Sequence, residues 1–359
     1  MIERIGLKNF KCFPQLELNF ADLTVLTGAN ASGKSSIIQA ILLGEKALVS
    51  DEKTLDASSA LGINIGNPQS LIAQNAIELE KGNFEISLTE NLEKREIYYF
   101  IDKYSPLKLM FEKNGGKIDS RIFYLNAERM GPRISYPAIS EEQILSNGAN
   151  AAYLIDRADL EGKKIPSMLS VDFGKSKFSV CVEEWMNVIL GDVNLTVSTD
   201  LERGSTDVRY GNEMVDQAVL PTMTGFGISY ILSIVTAGLW CAAHQNYILI
   251  VENPEAHLHP SAQSNMGKFL ELISKAGVQV IVETHSEHII DGIRAQAACL
   301  GNTESVEIYF FYAEGHKVKT ETITLNQNGE LSKWPQGFFD QKSLDLRQLF
   351  EIRRKNAGR

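Results

Sequence analysis

Residues 28–35, Gly28-Ala29-Asn30-Ala31-Ser32-Gly33-Lys34-Ser35, put two glycines, a cation and a hydroxyl into one octapeptide that fits G-x-x-x-x-G-K-[ST] without a gap. Gly28 and Gly33 let the backbone curl so that the amides of Asn30, Ala31, Ser32 and the following residues face inward at phosphate oxygens, with the positive end of a helix behind them. Lys34 adds a mobile cation for the β- and γ-phosphates, Ser35 a hydroxyl for Mg²⁺, and Ser36 one more polar group at the helix start. The chemistry implied is Mg²⁺-ATP binding. The flanks agree: Leu23-Thr24-Val25-Leu26-Thr27 reads as a buried strand and 35–43 as an apolar helix.

A second set of groups lies more than 200 residues on. Tyr247 to Val251 reads as a buried strand ending in Glu252-Asn253-Pro254-Glu255, and Val278 to Val282 as another ending in Glu283-Thr284-His285-Ser286. Ligands of open α/β sheets lie beyond the carboxyl ends of the strands, so Glu252 is placed to reach Mg²⁺, Glu255 to orient water and His285 to sense the γ-phosphate. A zinc site at His257, His259, His285 and His288 is not supported, because neither pair shows H-E-x-x-H or a cysteine complement; His259 before Pro260 reads as a turn cap and His288 as a helix-start residue. Met223-Thr224-Gly225-Phe226-Gly227 opens a long apolar helix, which is either an ordinary cap or an anion-binding end for the nucleotide of another subunit.

Positioning these groups requires a parallel sheet. From Gly225 the predicted order is helix to His244, strand Tyr247–Val251, helix Ser261–Ala276, strand Val278–Glu283, helix Glu287–Leu300, then strands over Glu307–Leu325 and a closing helix near Leu344–Arg354. Before the phosphate loop, Glu3–Phe10 and Leu16–Phe20 read as strands. Ala76–Glu80, Phe84–Thr89, Glu96–Ile101, Leu107–Glu112 and Arg121–Asn126 form the pattern of an antiparallel lobe, and helices at Glu141–Ala158 and Lys177–Leu190 precede a hairpin over Asn194–Tyr210 that turns at Arg203-Gly204. The expected division is 1–75 for the first part of an ATPase core, 76–127 for the β lobe, 128–222 for a mainly helical insertion and 223–359 for the second part of the core. No repeat or coiled-coil arm of length is present.

With 359 residues and 44% hydrophobic content, the chain is expected to bury a full core. The net charge of −10 argues against a surface built throughout to hold nucleic acid and leaves DNA only a local patch, for which Arg347, Arg353, Arg354, Lys355 and Arg359 compete with the reading of a solvated helix end. Cys12, Cys181, Cys241 and Cys299 are far apart and read as reduced core thiols. No apolar run reaches 18 residues and the start enters directly into strand sequence, so neither membrane span nor signal peptide is expected and a cytoplasmic setting is.

The order of these motifs resembles the ABC-type ATPase head of the SMC/RecF class, and within it the compact bacterial AAA-type ATPases related to OLD-like and Septu-like phage-defence proteins. The resemblance covers nearly the whole chain and implies an α/β P-loop head with a mixed, mainly parallel core sheet, an antiparallel β lobe and a helical insertion. Ile5 to Phe13 looks like the strand that brings Lys11 to the nucleotide, Thr224-Gly225-Phe226-Gly227 like the signature that acts in trans, Ala256 to His259 like the dimer-facing D-loop and His285 like the switch histidine. Residues 122–133, with Arg129 and Arg133 suited to a phosphate edge, and 334–340 also look like segments of the compact group. Asn253 stands where the class carries its water-activating glutamate, and the signature departs from Ser-Gly-Gly. The class implies an ATP-linked homodimer, or a higher homo-oligomer, that controls a separate effector or nuclease subunit or a DNA transaction. A slowly or non-hydrolysing ATP-sensing scaffold is the alternative, and the long span between motifs disfavours a transporter subunit.

Overall fold

The computed structural model describes residues 1–56, 67–102, 108–139, 144–170, 177–212, 215–315 and 317–357. The opening hairpin is β1 (Ile2–Phe10) and β2 (Phe13–Asn19), then β3 (Leu23–Gly28) leads through the phosphate loop into α1 (Lys34–Val49). After β4 (Thr54–Asp56) come β5 (Phe84–Glu90), β6 (Glu93–Ile101), β7 (Lys108–Asn114) and β8 (Arg121–Leu125). The middle of the chain holds β9 (Tyr136–Pro137), α2 (Ala151–Leu160), α3 (Phe178–Leu190), β10 (Asn194–Asp200), β11 (Ser205–Asn212) and β12 (Val215–Val219). The last part alternates α4 (Phe226–Ala242), β13 (Tyr247–Glu252), α5 (Pro260–Lys275), β14 (Gln279–Glu283) and α6 (Glu287–Leu300), and ends with β15 (Val306–Glu314), β16 (Lys317–Thr324) and α7 (Gln341–Ala357).

The central sheet has the order β16-β15-β3-β14-β13-β8, parallel throughout except for β16. Its strands are near-continuous apolar runs because both faces are covered. Period-two alternation sends Ile248, Ile250 and Ile281 to a core shared with α1 and the antiparallel sheet, and Leu249, Val251, Val280 and Val282 to a core shared with α2 to α6. The antiparallel sheet, β2-β1-β5-β6-β7-β4, lies across α1 from the central one. Gln279 at the start of β14 ties the two together, donating to the carbonyls of Ile2 (2.7 Å) and Ala21 (3.2 Å) and accepting from the Ile2 amide (2.9 Å). A small sheet, β10-β11-β12 with β9 beside β11, packs on the helical side.

Several expectations change. Arg121–Asn126, expected in the antiparallel lobe, instead forms β8 and pairs in parallel with β13; residues 122–125 are buried on both faces, which only the middle layer can satisfy. Ala76–Glu80 forms no strand, its chain being held by the Asn9 side chain, which accepts from the Ile77 amide and donates to its carbonyl. The helix expected over Glu141–Ala158 begins only at Ala151: residues 140–143 lie outside the described residues, and Gly148 takes a left-handed turn (φ 71°) whose Cα presses on Ser233. The four thiols are free, but Cys12 is only half-buried and Cys299 is exposed on α6, so only Cys181 and Cys241 are core groups. No helix among the described residues is long and apolar enough to cross a membrane.

Burial also leaves one carboxyl under strain away from the loop tips. Glu271 on α5 is fully buried; its Oε1 accepts from Asn302 (3.0 Å), its Oε2 takes no hydrogen bond among the described residues, and burial pushes its pKa up to about 7. The folded protein therefore holds a proton that the unfolded chain releases near the ordinary carboxylate pKa, and stability is lost as pH rises through about 7. Glu271→Gln is expected to raise the Tm by ~2–5 °C at pH 8 and to change it little at pH 5, read by thermal unfolding across that range.

Candidate functional site

The turn after β3 is built under two constraints. Gly28 has φ 138° and runs so close to β15 that an added Cβ would lie 2.0 Å from the Phe311 carbonyl oxygen. Gly33 has φ 93°, and a Cβ there would meet Cys12 Sγ and Phe13 Cζ at 2.7 Å. With Ala31 also left-handed (φ 59°), the loop wraps back over the start of α1, whose first turn has neither a side-chain cap nor an acidic residue. Uncapped amides and the helix dipole thus face the cleft.

That cleft, of about 450 Å³, is lined by Lys11, Cys12, Asn30, Ala31, Ser32, Gly33, Lys34, Ser35, Ser36, Ala127, Glu252, Asn253, Glu283 and His285. Lys34 is buried and its ammonium donates to the loop carbonyls of Ala29 (2.7 Å) and Gly28 (3.1 Å); burial lowers its pKa, and Glu283 opposes the shift. Lys11, in a left-handed turn (φ 52°) between β1 and β2, donates from Nζ to Gln39 on α1, and burial lowers its pKa too.

The carboxylates come from the tips of β13 and β14. Glu252 Oε1 accepts from Tyr124 Oη (2.9 Å) and Oε2 from the Ala127 amide (3.2 Å), while burial raises its pKa. Glu283 sits beside it in register, its Oε1 accepting from Ser35 Oγ (3.0 Å). Burial, then the neighbouring Glu252, push Glu283 up to about 7. Glu255 lies off the lining and braces it: Oε1 accepts from the His285 amide (2.7 Å) and Oε2 from Thr284 Oγ1 (2.8 Å). His285 faces the cleft with its pKa lowered by burial and by Lys34, which keeps the ring neutral near pH 7.

Ser32 Oγ, Asn253 Oδ1 and Glu283 Oε2 are buried and take no hydrogen bond among the described residues. Such atoms are costly unless a polar ligand meets them, so this donor and acceptor set fits a polyphosphate and a hard cation.

Of the residues singled out in the sequence, the fold gathers the whole of 30–36 with Lys11, Glu252 and His285, and sets Gly28 beneath them. Thr224, Gly225 and Gly227 are not among the lining residues. They open α4 beside the D-loop, where Gly227 lies so close that a Cβ would be 2.8 Å from the His257 carbonyl oxygen; Phe226 is 55% exposed and stacks near His257 (5.4 Å). His259 caps α5, and His288 stands in the first turn of α6 behind its Ser286 cap. Arg129 does not face a phosphate edge. It is buried, donating to the carbonyls of Asn126, Glu252 (2.5 Å) and Asn253 (2.6 Å), with its guanidinium 5.1 Å from the Tyr230 ring centroid; Arg133 is exposed. Glu283 and Tyr124 were missed. The strand-end rule that picked Glu252 applies equally to Glu283, whereas nothing local marks Tyr124 before β8 is known to flank β13.

A parallel sheet with a glycine-rich strand-to-helix turn, a buried lysine and acids at the neighbouring strand tips defines a P-loop ATPase head. The chain belongs to the AAA_21 family, described as "AAA domain, putative AbiEii toxin, Type IV TA system", which matches residues 23–291, three quarters of its length; residues 302–349 match DUF3696, a protein of unknown function. It is 22% identical over 342 residues to the Old nuclease of Escherichia phage P2, covering 82% of this chain and 58% of that protein, so it spans less than two thirds of that relative's length. Its fold is that of SMC heads. The Smc head bound to the C-winged helix domain of ScpA superposes with a TM-score of 0.53 at 16% identity, over 91% of this chain and 98% of that one. The Smc head domain with an extended coiled coil, bound to the C-terminal domain of ScpA derived from Pyrococcus furiosus, gives 0.53 at 14% identity over 98% and 99%. The expected class of α/β head, related to OLD-like proteins, is therefore the one found.

Lys34→Ala is expected to weaken ATP binding at least ~10-fold, the order of a lost charge-assisted contact, in a titration with a fluorescent ATP analogue. In the same assay, Glu252→Gln is expected to raise the Mg²⁺ concentration needed for binding more than Glu255→Gln does; the reverse order would exchange their roles.

Proposed function

We propose that the chain binds Mg²⁺-ATP, closes head to tail around two nucleotides, hydrolyses them slowly, and uses the cycle to control a partner effector or a DNA transaction in anti-phage defence or DNA maintenance. The single observation behind this reading is the convergence of Lys34, Ser35, Glu252, Glu283 and His285 on one cleft. Loop amides and Lys34 hold the β- and γ-phosphates, while Lys11 and Ser36 line the rim. Ser35 and Glu252 would hold Mg²⁺, whose contribution is to neutralise charge on the phosphate oxygens. Glu255 fixes the backbone of His285, so the neutral imidazole is held where a hydrogen bond to the γ-phosphate or its attacking water distinguishes triphosphate from diphosphate.

Dimerisation is supported by what the cleft lacks in cis. Thr224, Gly225 and Gly227 stand off its lining at an exposed helix start, which a second copy would bring to the nucleotide. ATP then shifts the population toward the closed pair by binding it more tightly, and hydrolysis returns it. A nuclease or toxic subunit is the partner suggested by the Old nuclease relative, a docked protein by the Smc heads bound to ScpA domains, and the cytoplasm is the setting. The scaffold reading rests on Asn253, a neutral amide at the expected water-activating position.

Steady-state phosphate release separates the two. Turnover abolished by Lys34→Ala supports the ATPase; tight ATP binding with no release above background supports the scaffold. An added Cβ at Gly225 meets nothing within 4 Å and its backbone is extended (φ −68°), so Gly225→Trp is expected to fold and bind ATP as a monomer while losing ATP-induced dimerisation in size-exclusion chromatography with light scattering. Loss of monomer binding would mean that the helix acts in cis.

A further inference from the structure

A neutral residue at 253 does not leave the cleft short of acids. Asn253 follows Glu252 out of β13 with φ 45°, a left-handed backbone that asparagine tolerates better than most residues, and its amide donates to the Glu283 carbonyl (2.8 Å). That bond continues the β13–β14 ladder by one step beyond the paired Glu252 and Glu283. The tip therefore presents two carboxylates side by side on adjacent strands, in place of two consecutive residues on one strand.

The three carboxylates differ in what remains free. Both oxygens of Glu252 are engaged, by Tyr124 and the Ala127 amide, and both of Glu255, by Thr284 and the His285 amide. Glu283 is 5% exposed, lines the same cleft as the phosphate loop, and spends only Oε1, on Ser35; its Oε2 takes no hydrogen bond among the described residues. We propose that Glu283 is the catalytic carboxylate of this head, taking the place that Asn253 vacates, and this rests on the ATP-hydrolysing reading above. Ser35 fixes the side chain through Oε1, leaving Oε2 for the attacking water. In the step, the water oxygen bonds to the γ-phosphorus, the bond from that phosphorus to the β–γ bridging oxygen breaks, and ADP leaves with the electron pair. The water proton passes to Oε2 and is then released with the phosphate.

Glu283→Gln tests this, because the amide oxygen still accepts from Ser35 while the proton acceptor is gone. The expected result is a kcat lower by at least ~100-fold with the KM for Mg²⁺-ATP changed by less than about threefold, the scale of a lost general base. A second readout is independent of turnover: the ATP-induced dimer of the variant should persist on a sizing column, where that of the wild-type chain decays as ATP is consumed. A variant that turns over within about threefold of wild type, or one that folds with an unchanged Tm but has lost Mg²⁺-ATP affinity, overturns the assignment and leaves Glu283 a structural or metal-side group. Failure of the hydrolysis reading is a different result, seen in the wild-type chain as ATP binding without phosphate release, and it would remove this assignment with it.

Discussion

Everything at the cleft depends on how tightly the chain can turn at the tip of β3. The strand is hydrogen-bonded on both sides, by β14 and β15, so its end cannot move aside to make room. Gly28 passes against the Phe311 backbone where even a methyl group would overlap the carbonyl, and Gly33 does the same against Cys12 and Phe13. The loop between them can thus lie back over the helix with its amides inward, an arrangement that any side chain at either point would push open. Lys34, Ser35 and the carboxylates are useful only relative to that loop.

The electrostatic consequence is a buried balance of charge. Lys34 is pulled toward neutrality by burial, and Glu252 and Glu283 are pushed toward protonation by burial and, for Glu283, by the other acid. Each is held in a state less comfortable than it has in water, and each shift has the sign that opposite charge arriving from a ligand would reverse. The site is preorganised by strain of this kind, because the sheet and the helix fix the positions at which the charges must sit. Tyr124 and the Ala127 amide limit the cost by solvating Glu252 from the β8 side.

Much of this was legible in the sequence, and for physical reasons. The octapeptide at 28–35 encodes its own conformation through glycine and its own chemistry through lysine and serine. Strands β13 and β14 show themselves as apolar runs ending in polar residues, since a strand buried on both faces has no other pattern. What could not be read is what depends on neighbours across the sheet. The place of β8 is set by burial on both faces of residues 122–125, a run that also suits a lobe strand. The service of Tyr124 to Glu252 exists only once β8 lies beside β13. Arg129 looked like a phosphate ligand because arginine often is one, yet the irregular backbone after β13 leaves carbonyls that need donors, and the guanidinium fork is the group that can supply several at once.

That use of Arg129 joins two parts of the molecule that a nucleotide cycle would need to move together. Its fork is bonded to the backbone carbonyls of Glu252 and Asn253, at the tip of β13, and its flat face lies against Tyr230 on α4. Tyr230 meets the His257 ring edge-on at 4.8 Å, and His257, in a left-handed turn (φ 63°), leans toward the exposed Phe226 at the start of the same helix. A displacement at the acid-bearing tip that broke the fork would leave buried donors and carbonyls unpaired, at roughly 1–3 kcal/mol for each group. Small shifts at the cleft are therefore cheaper when α4 and the D-loop follow, and the surface that carries Thr224, Gly225 and Phe226 is mechanically continuous with the carboxylate that faces the cleft.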